Sequence, residues 1–358
     1  KIESEMNIMK KRKIALFLVT LLLISILSGC GQQDNQETLQ EQKKTIVDMA
    51  GKSVEVPEKV EKIAVTCYGG ASHEVAILGA GDKIVAQPPM QRFPQLVKML
   101  PGFADVPDVG SFDEVNVEEI LKLEPDVVIA SVSSEKGNKK IEEAGIPVVT
   151  VLTGRADIEG LKKEFKMMGD LLNKEKEAEK LVAFWNERLK LIEDHVSEIP
   201  QDERKRVYYV LGDLLHTNGG SFWGHYLITT AGGINVAEEI GKARDISIEQ
   251  LLEWDPEVMI LSSNEGRFIP VEEVKNNPQM ADVKAVKDNA LHLCPVGTFW
   301  WDRPSPEAIL GMTWLAKTLY PDKFTDIDLE KDIKDFYKEF YNYELTSDEV
   351  KAFLNPTE

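Results

Sequence analysis

The sequence predicts an α/β protein of two Rossmann-like lobes, each built on a central parallel sheet, joined by a single long α-helix. Three observations carry this expectation. Short apolar runs of β type alternate with helical patterns in residues 45–156 and again in 200–320, the pattern of parallel strands with helical crossovers. Residues 157–199 between them hold no Pro and only two Gly, Gly160 and Gly169, and keep helical spacing. A 14-residue phrase recurs once in each half. A chain of this length is also too long for one typical core, which favours two domains.

The elements follow in order. Residues 1–29 read as an export leader. Lys10, Lys11, Arg12 and Lys13 form a positive cluster, and an uncharged, mostly apolar run follows from Ile14 to Leu27. That run suits the apolar part of a signal peptide and is short for a membrane span, which needs roughly 20 residues. Leu27-Ser28-Gly29-Cys30 resembles the lipobox of bacterial-type lipoproteins, in which the Cys is diacylated and becomes the mature N-terminus. Cys30 is therefore the expected lipid attachment site. Residues 30–44 are polar and aperiodic and read as a tether, with the folded body starting near Thr45.

In the first lobe, strands are expected at Lys62 to Cys67, Lys83 to Ala86, Asp126 to Ala130 and Pro147 to Val151. Helices are expected at Ser72 to Leu78, Val117 to Leu123 and Lys136 to Ala144. Residues 157–199 should form two helices broken near Asn173, with Leu181, Phe184, Trp185, Leu189 and Ile192 on the apolar stripe of the second. Pro200 ends it, and about 25 residues at 1.5 Å each make a rod of roughly 37 Å, enough to bridge two lobes.

Strands at Val207 to Leu211, Val258 to Ser262 and Leu291 to Leu293 then alternate with helices at Trp223 to Ala231, Ile248 to Trp254, Val271 to Asn276 and Ser305 to Leu319. Residues 321–358 read as a helical tail, with helices at Asp328 to Tyr341 and Ser347 to Phe353.

The chain carries 42 Lys and Arg against 61 Asp and Glu, a net charge of −19. Loss of residues 1–29 removes five basic and two acidic side chains and leaves −22. Such a surface argues against nucleic acid or anionic lipid as a partner and favours docking onto a basic surface. With Cys30 assigned to lipid, Cys67 and Cys294 remain, too few for a disulfide framework, and the sequence leaves open whether they pair. No metal-ligand spacing such as HExxH or CxxC occurs, and no G-x-S-x-G elbow supports a hydrolase.

The repeated phrase is Asn116-Val-Glu-Glu-Ile-Leu-Lys-Leu-Glu-Pro-Asp-Val-Val-Ile, matched by Ser247-Ile-Glu-Gln-Leu-Leu-Glu-Trp-Asp-Pro-Glu-Val-Met-Ile. Each reads as a polar N-cap, a short helix with an early Glu, an acid-Pro-acid turn and a buried strand. A matched register over 14 positions points to internal duplication.

At this phrase the chain resembles the iron-siderophore, haem and cobalamin substrate-binding proteins of ABC importers. Ile46 to Pro57 is similar to the opening hairpin of that family, Gly110-Ser111-Phe112 to a Gly-Ser-aromatic turn, Ala231-Gly232-Gly233-Ile234-Asn235 to an AGG-x-N segment, and Trp314 to Pro321 to a closing WLA-x-x-LYP. The resemblance covers residues 45 to about 320. It implies a bilobed body that holds its ligand between the lobes, with limited hinge motion because a helix resists bending. It also implies no enzymatic activity and no cofactor, a permease dimer with a cytoplasmic ATPase as partner, and a monomeric binding protein. The two permease-docking carboxylates of the family fall on Glu118 and Glu249. An acid in a first helical turn is favoured by the helix dipole, and an exposed carboxylate can meet Arg bidentately. The implied ligand is a metal already wrapped in an organic chelator, a ferric siderophore first, with haem or a corrinoid as the alternative.

Ligands of two-lobed proteins bind where strand ends face the cleft. The candidate contacts are Tyr68, Phe112, His216, Trp223, Phe299, Trp300, Trp301 and Arg303. Three successive aromatics cannot all point into one core, so part of Phe299-Trp300-Trp301 should face solvent or ligand, and Arg303 suits a carboxylate or phosphate. Core packing with a salt bridge from Arg303 is the competing reading. The cobalamin-binding members of the family carry an aromatic–acid–Arg stretch at the same place. No side chain is assigned as a direct metal ligand. Cys67 reads as a small buried hydrophobe, and Glu74 as part of the lobe structure.

Overall fold

The structure is a computed structural model, and it describes residues 42–263 and 268–356. The leader, Cys30 and most of the expected tether lie outside the described residues. The body starts with β1 (Lys43–Val47), within the stretch read as tether, which pairs antiparallel with β2 (Ser53–Pro57). Asp48 holds this hairpin to the first lobe. One of its oxygens caps the turn at Ala50 and Lys52, while the other accepts from the Thr150 amide at 3.2 Å and hydroxyl at 2.6 Å.

The first lobe continues through β3 (Ile63–Val65), α1 (Ala71–Ile77), β4 (Ile84–Ala86), α2 (Pro94–Met99), the small hairpin of β5 (Gly110–Ser111) and β6 (Glu114–Val115), α3 (Val117–Leu123), β7 (Val127–Ser131), α4 (Glu135–Glu143) and β8 (Val148–Val151). Its sheet is parallel, in the order β4-β3-β7-β8. Helices α5 (Ile158–Leu172) and α6 (Glu175–Val196) follow. Asn173 breaks them in the left-handed conformation at φ 56°, a role Asn tolerates well. The two helices pack so closely there that a Cβ at Gly169 would lie 2.6 Å from that of Ala178.

The second lobe contains β9 (Arg206–Leu211), β10 (His216–Thr217), α7 (Trp223–Thr230), β11 (Ile234–Asn235), β12 (Arg244–Asp245), α8 (Ile248–Trp254), β13 (Val258–Ser262), α9 (Val271–Asn276), α10 (Lys284–Lys287) and β14 (Leu291–Leu293). Its parallel sheet runs β11-β9-β13-β14, the same order as in the first lobe, element for element. Helices α11 (Ala308–Leu319), α12 (Leu329–Tyr341) and α13 (Ser347–Leu354) close the chain.

The duplication reaches side-chain detail. Asn116 and Ser247 each accept the amide three residues on, at 3.2 Å in both lobes. Glu124 and Asp255 each end their helix in the left-handed conformation. The acid after each Pro then reaches to the neighbouring central strand. Asp126 accepts from the Glu61 and Lys62 amides, and Glu257 accepts from the Arg206 amide.

The central strands of both sheets, β3, β7, β9 and β13, are buried on two faces, and alternate residues serve different cores. Ile63, Val65, Val127 and Ile129 face a central core that also takes Val207, Tyr209 and Ile260 of the other lobe. Ala64, Val128 and Ala130 face an outer core in the first lobe, and Tyr208, Val210 and Met259 one in the second. The central core is organised around α6, 22 residues and so about 33 Å long. Trp185 anchors that helix. It is fully buried, packs on Phe165 and Trp223, and donates its indole N–H to the Pro306 carbonyl at 3.0 Å.

Candidate functional site

Strand ends, connecting loops and inter-lobe contacts converge where the loop after β3 meets the segment 297–305. A Cβ on Gly70 (φ 99°) would come 3.0 Å from the Pro304 carbonyl, so only a glycine seats the two chains here. One turn into α1, the buried His73 Nε2–H donates to the Thr298 carbonyl at 2.8 Å. This contact fixes the tautomer, because a carbonyl can only accept. Burial lowers the His73 pKa to about 4, so the ring is neutral at physiological pH.

Tyr68, Phe112 and Arg92 form a group beside this junction. The Tyr68 and Phe112 rings are 6.4 Å apart, and the Arg92 guanidinium lies 4.8 Å from the Tyr68 centroid, within cation–π range. Phe112 is 36% exposed, unusual for so large an apolar ring beside a cleft. Its backbone is in the left-handed region at φ 55°, which costs a bulky residue of the order of 1–3 kcal/mol. The conformation is held from both sides. The Phe112 amide donates to the Thr66 carbonyl at 2.7 Å, and its carbonyl sits so close to α4 that a Cβ at Gly137 would lie 2.1 Å from it. The ring is thus presented toward solvent by a backbone that the surrounding structure over-determines.

Arg92 is exposed and has no carboxylate within ion-pair distance among the described residues. Its neighbour Phe93 is buried and crosses to the other lobe, 5.1 Å from Phe299 and 4.9 Å from Trp300. Sequence reasoning missed Arg92. The signal was weak, a lone Arg between Pro-rich residues and a short helix.

The structure separates the other expected contacts. Trp300 is half-buried and stands edge-on to Phe93, next to the Arg92 group. Phe299 is buried between His73 and Phe93. Trp301 and Trp223 are fully buried and present no surface, with the Trp301 indole N–H donating to Glu307 at 3.0 Å. His216 lies on the small β10–β12 hairpin, where its Nδ1 pairs with Asp245 at 2.7 Å, and the structure does not place it beside Tyr68.

Arg303 turns inward. It pairs with the buried Asp302 at 2.9 Å, donates to the Ser263 carbonyl at 2.9 Å and reaches the Tyr209 hydroxyl. Tyr209 in turn donates to Asp302 at 2.6 Å. Ser262, which Arg303 also reaches at 3.3 Å, ends β13 and Ser263 follows it, so Arg303 ties β9 to the end of β13 from within the second lobe.

Beneath the Tyr68 loop, Glu74 and Glu164 are buried against each other. Burial raises both carboxyls, Glu164 to about 7 and Glu74 well above its ordinary value. Glu164 also accepts from the Leu152 amide. The adjacent Cys67 is a free thiol whose pKa burial pushes up, and Cys294 is likewise buried and free. Among the described residues no group of three or more His, Cys, Asp or Glu is arranged to hold a metal ion. No described helix is long and apolar enough to cross a membrane.

Known proteins match this architecture along nearly its whole length. The model of a family described as periplasmic binding protein matches residues 65–296. The molybdate-binding protein MolA of Haemophilus influenzae is 28% identical over 346 residues, covering 90% of this chain and 95% of its own. Its molybdate-bound crystal structure superposes with a TM-score of 0.74 at 27% identity, over 85% of this chain and 99% of that one. A periplasmic solute binding protein from Veillonella parvula gives a TM-score of 0.78 at 29% identity, over 88% and 97%. The Fe(3+)-citrate-binding protein YfmC of Bacillus subtilis is 28% identical over 298 residues, 80% of this chain and 90% of its own. These relatives are solute-binding proteins and not enzymes. With a family model spanning well over half its length and two duplicated parallel-sheet lobes of the same architecture, the chain belongs to the periplasmic binding protein family, the extracytoplasmic substrate-binding components of ABC importers.

Proposed function

We propose that the protein captures an anionic metal complex, a ferric chelate of the siderophore or citrate type, and hands it to the permease of an ABC importer. The observation that carries this reading is Arg92. It is a solvent-facing cation without an acidic partner among the described residues, in a chain with a large acidic excess, stacked over Tyr68 and next to the strained Phe112. Aromatic faces suit aryl or hydroxamate groups, and a guanidinium suits carboxylate or catecholate oxygens. Trp300 would extend the aromatic wall from the second lobe.

Delivery rests on Glu118 and Glu249. Both are exposed and both lack an ion-pair partner among the described residues, whereas the neighbouring Glu119 is tied to Lys122 at 2.6 Å. Each occupies the same place in its lobe, so the monomeric body offers two equivalent carboxylates to a two-subunit permease. A lipid on Cys30 would keep that body at the membrane.

A second reading takes molybdate or a similar bare oxyanion as the ligand. It is favoured by the likeness to MolA over nearly the whole chain. One titration separates the readings. Tryptophan fluorescence and calorimetry with ferric citrate, ferric hydroxamate and catecholate siderophores, molybdate, haem and cyanocobalamin should give saturable binding to a ferric chelate. Binding to molybdate alone supports the second reading. Binding to haem or cyanocobalamin with no response to any anionic chelate overturns both.

A further inference from the structure

The two docking helices share more than a Glu. Four large hydrophobic residues stand out as exposed among the described residues, and two of them are Leu121 at 45% and Leu252 at 40%. A single exposed Leu needs no explanation. These two, however, occupy the same position of the duplicated phrase, five residues after the caps Asn116 and Ser247. The residues just before them, Ile120 and Leu251, are fully buried, so the helices are firmly seated with this face outward. Leu121 lies three residues from Glu118, and Leu252 three from Glu249, one helical turn apart on one face. Val117 and Ile248, both half-buried, sit four residues before the same leucines and widen the apolar patch. Each lobe therefore shows solvent an identical unit of β-branched aliphatic, unpaired Glu and Leu.

We infer that Leu121 and Leu252 are apolar docking contacts for the permease, each entering a pocket beside the cation that meets the adjacent Glu. The inference rests on the docking role of Glu118 and Glu249. The occupant follows from two properties of the surface. Two equivalent patches on one chain call for two equivalent partner surfaces, as a dimer of membrane subunits provides. An unpaired carboxylate beside the Leu calls for a cationic partner group, and the net charge of −19 excludes a second copy of this chain as the favoured source. The ionic contact steers and orients, and the leucines slow release.

The test uses the full-length protein with its cognate permease–ATPase complex, reconstituted in liposomes. Readouts are the concentration of binding protein giving half-maximal ATPase stimulation, ligand affinity and thermal midpoint. Leu121→Ala/Leu252→Ala should raise the half-maximal concentration roughly tenfold or more, with ligand affinity and midpoint unchanged. Leu121→Gln/Leu252→Gln should behave alike, and Val47→Ala, another exposed apolar residue, should have no effect. If the leucine variants couple normally while Glu118→Ala/Glu249→Ala does not, the inference fails and the docking role of the glutamates stands. If the glutamate variants also couple normally, that docking role falls and the inference with it. A loss of ligand affinity in the leucine variants also overturns it.

Discussion

His73 of the first lobe and Thr298 of the second are joined by a buried hydrogen bond of 2.8 Å, a direct polar tie across the two halves of the protein. The tie needs a proton on Nε2, and it is burial that keeps the ring neutral. Burial lowers the His73 pKa to about 4, against 6.5 for a free ring.

A base with a lowered folded pKa contributes stability that is complete above the unfolded pKa and is lost as pH falls toward the folded one. His73 should therefore cost the protein up to about 3 kcal/mol between pH 6.5 and pH 4. His73→Phe keeps the ring volume, loses the tie and no longer titrates. Its thermal midpoint should be below wild type at pH 7.5, and the gap should close as pH is lowered to 4.5. A gap that stays constant would mean that His73 is not the group titrating.

The next residue pulls the other way. Glu74 and Glu164 are both raised by burial, Glu164 to about 7. Acids with raised folded pKa values stabilise fully below the unfolded pKa of 4.5, and that contribution is lost as pH rises through the folded values. Glu74→Gln replaces one of the two buried carboxyls with a group that stays neutral. It should raise the thermal midpoint at pH 8 and change it little at pH 5. A lower midpoint at pH 8 would show that ionisation of the buried carboxyls does not destabilise the protein there. Between about pH 4.5 and 6.5 the contributions of the neighbours change in opposite directions, and above pH 6.5 only the loss from the acids continues.

Arg92→Gln should weaken binding of an anionic ligand about 10- to 100-fold, the scale of one charge-assisted hydrogen bond, without shifting the thermal midpoint, because the side chain is exposed and carries no ion pair among the described residues. Calorimetry against the ligand found in the titration would measure it. Unchanged affinity would move the anion site elsewhere in the cleft.

The fold was largely legible in the sequence because its strongest signals are local. Val117–Leu123, Ile248–Trp254, Val258–Ser262, Val271–Asn276 and Leu291–Leu293 end where the caps, Pro residues and apolar runs said they would. Ser305 to Leu319 was read three residues too long at its start, because Pro304 to Glu307 form turns that bring Ser305 and Pro306 against the first lobe and α6. The short β5–β6 and β10–β12 hairpins were missed, since two-residue strands have no periodicity to detect.

The site was less legible because it depends on which face of a loop meets which neighbour. The Phe299-Trp300-Trp301 run did split between core and partial exposure, as three consecutive rings must. Its order, with Trp301 inward, is set by Glu307 and the close approach of Gly311, which lie outside the run. Arg92 needed the third dimension altogether.

The N-caps offer a test of the duplication. Asn116→Ala and Ser247→Ala each remove one side-chain acceptor from an equivalent helix start. Each should cost about 1 kcal/mol, and the double variant about the sum, since the two sites share no partner. Urea unfolding of the three variants would measure this. Strong coupling between the two would show that the lobes unfold through a shared element that the caps control.

Arg303 separates a structural from a ligand role most sharply. Its guanidinium is spent inside the second lobe, on Asp302, the Tyr209 hydroxyl and the Ser263 carbonyl. Asp302 is almost fully buried, and one of its oxygens already lacks a hydrogen-bond partner. Arg303→Met would leave that carboxylate with the Tyr209 hydroxyl as its remaining support, and breaking a buried pair from one side costs about 3–5 kcal/mol. Asp302→Asn/Arg303→Met removes both charges and should recover most of the loss. Urea midpoints for the two variants, read with ligand titrations, decide the role. If Arg303→Met is as stable as wild type but no longer binds ligand, the guanidinium acts on the ligand. If it is unstable and the double variant is rescued in both stability and binding, Arg303 serves to hold β9 and β13 in place, and Arg92 is left as the cation that recognises the anion.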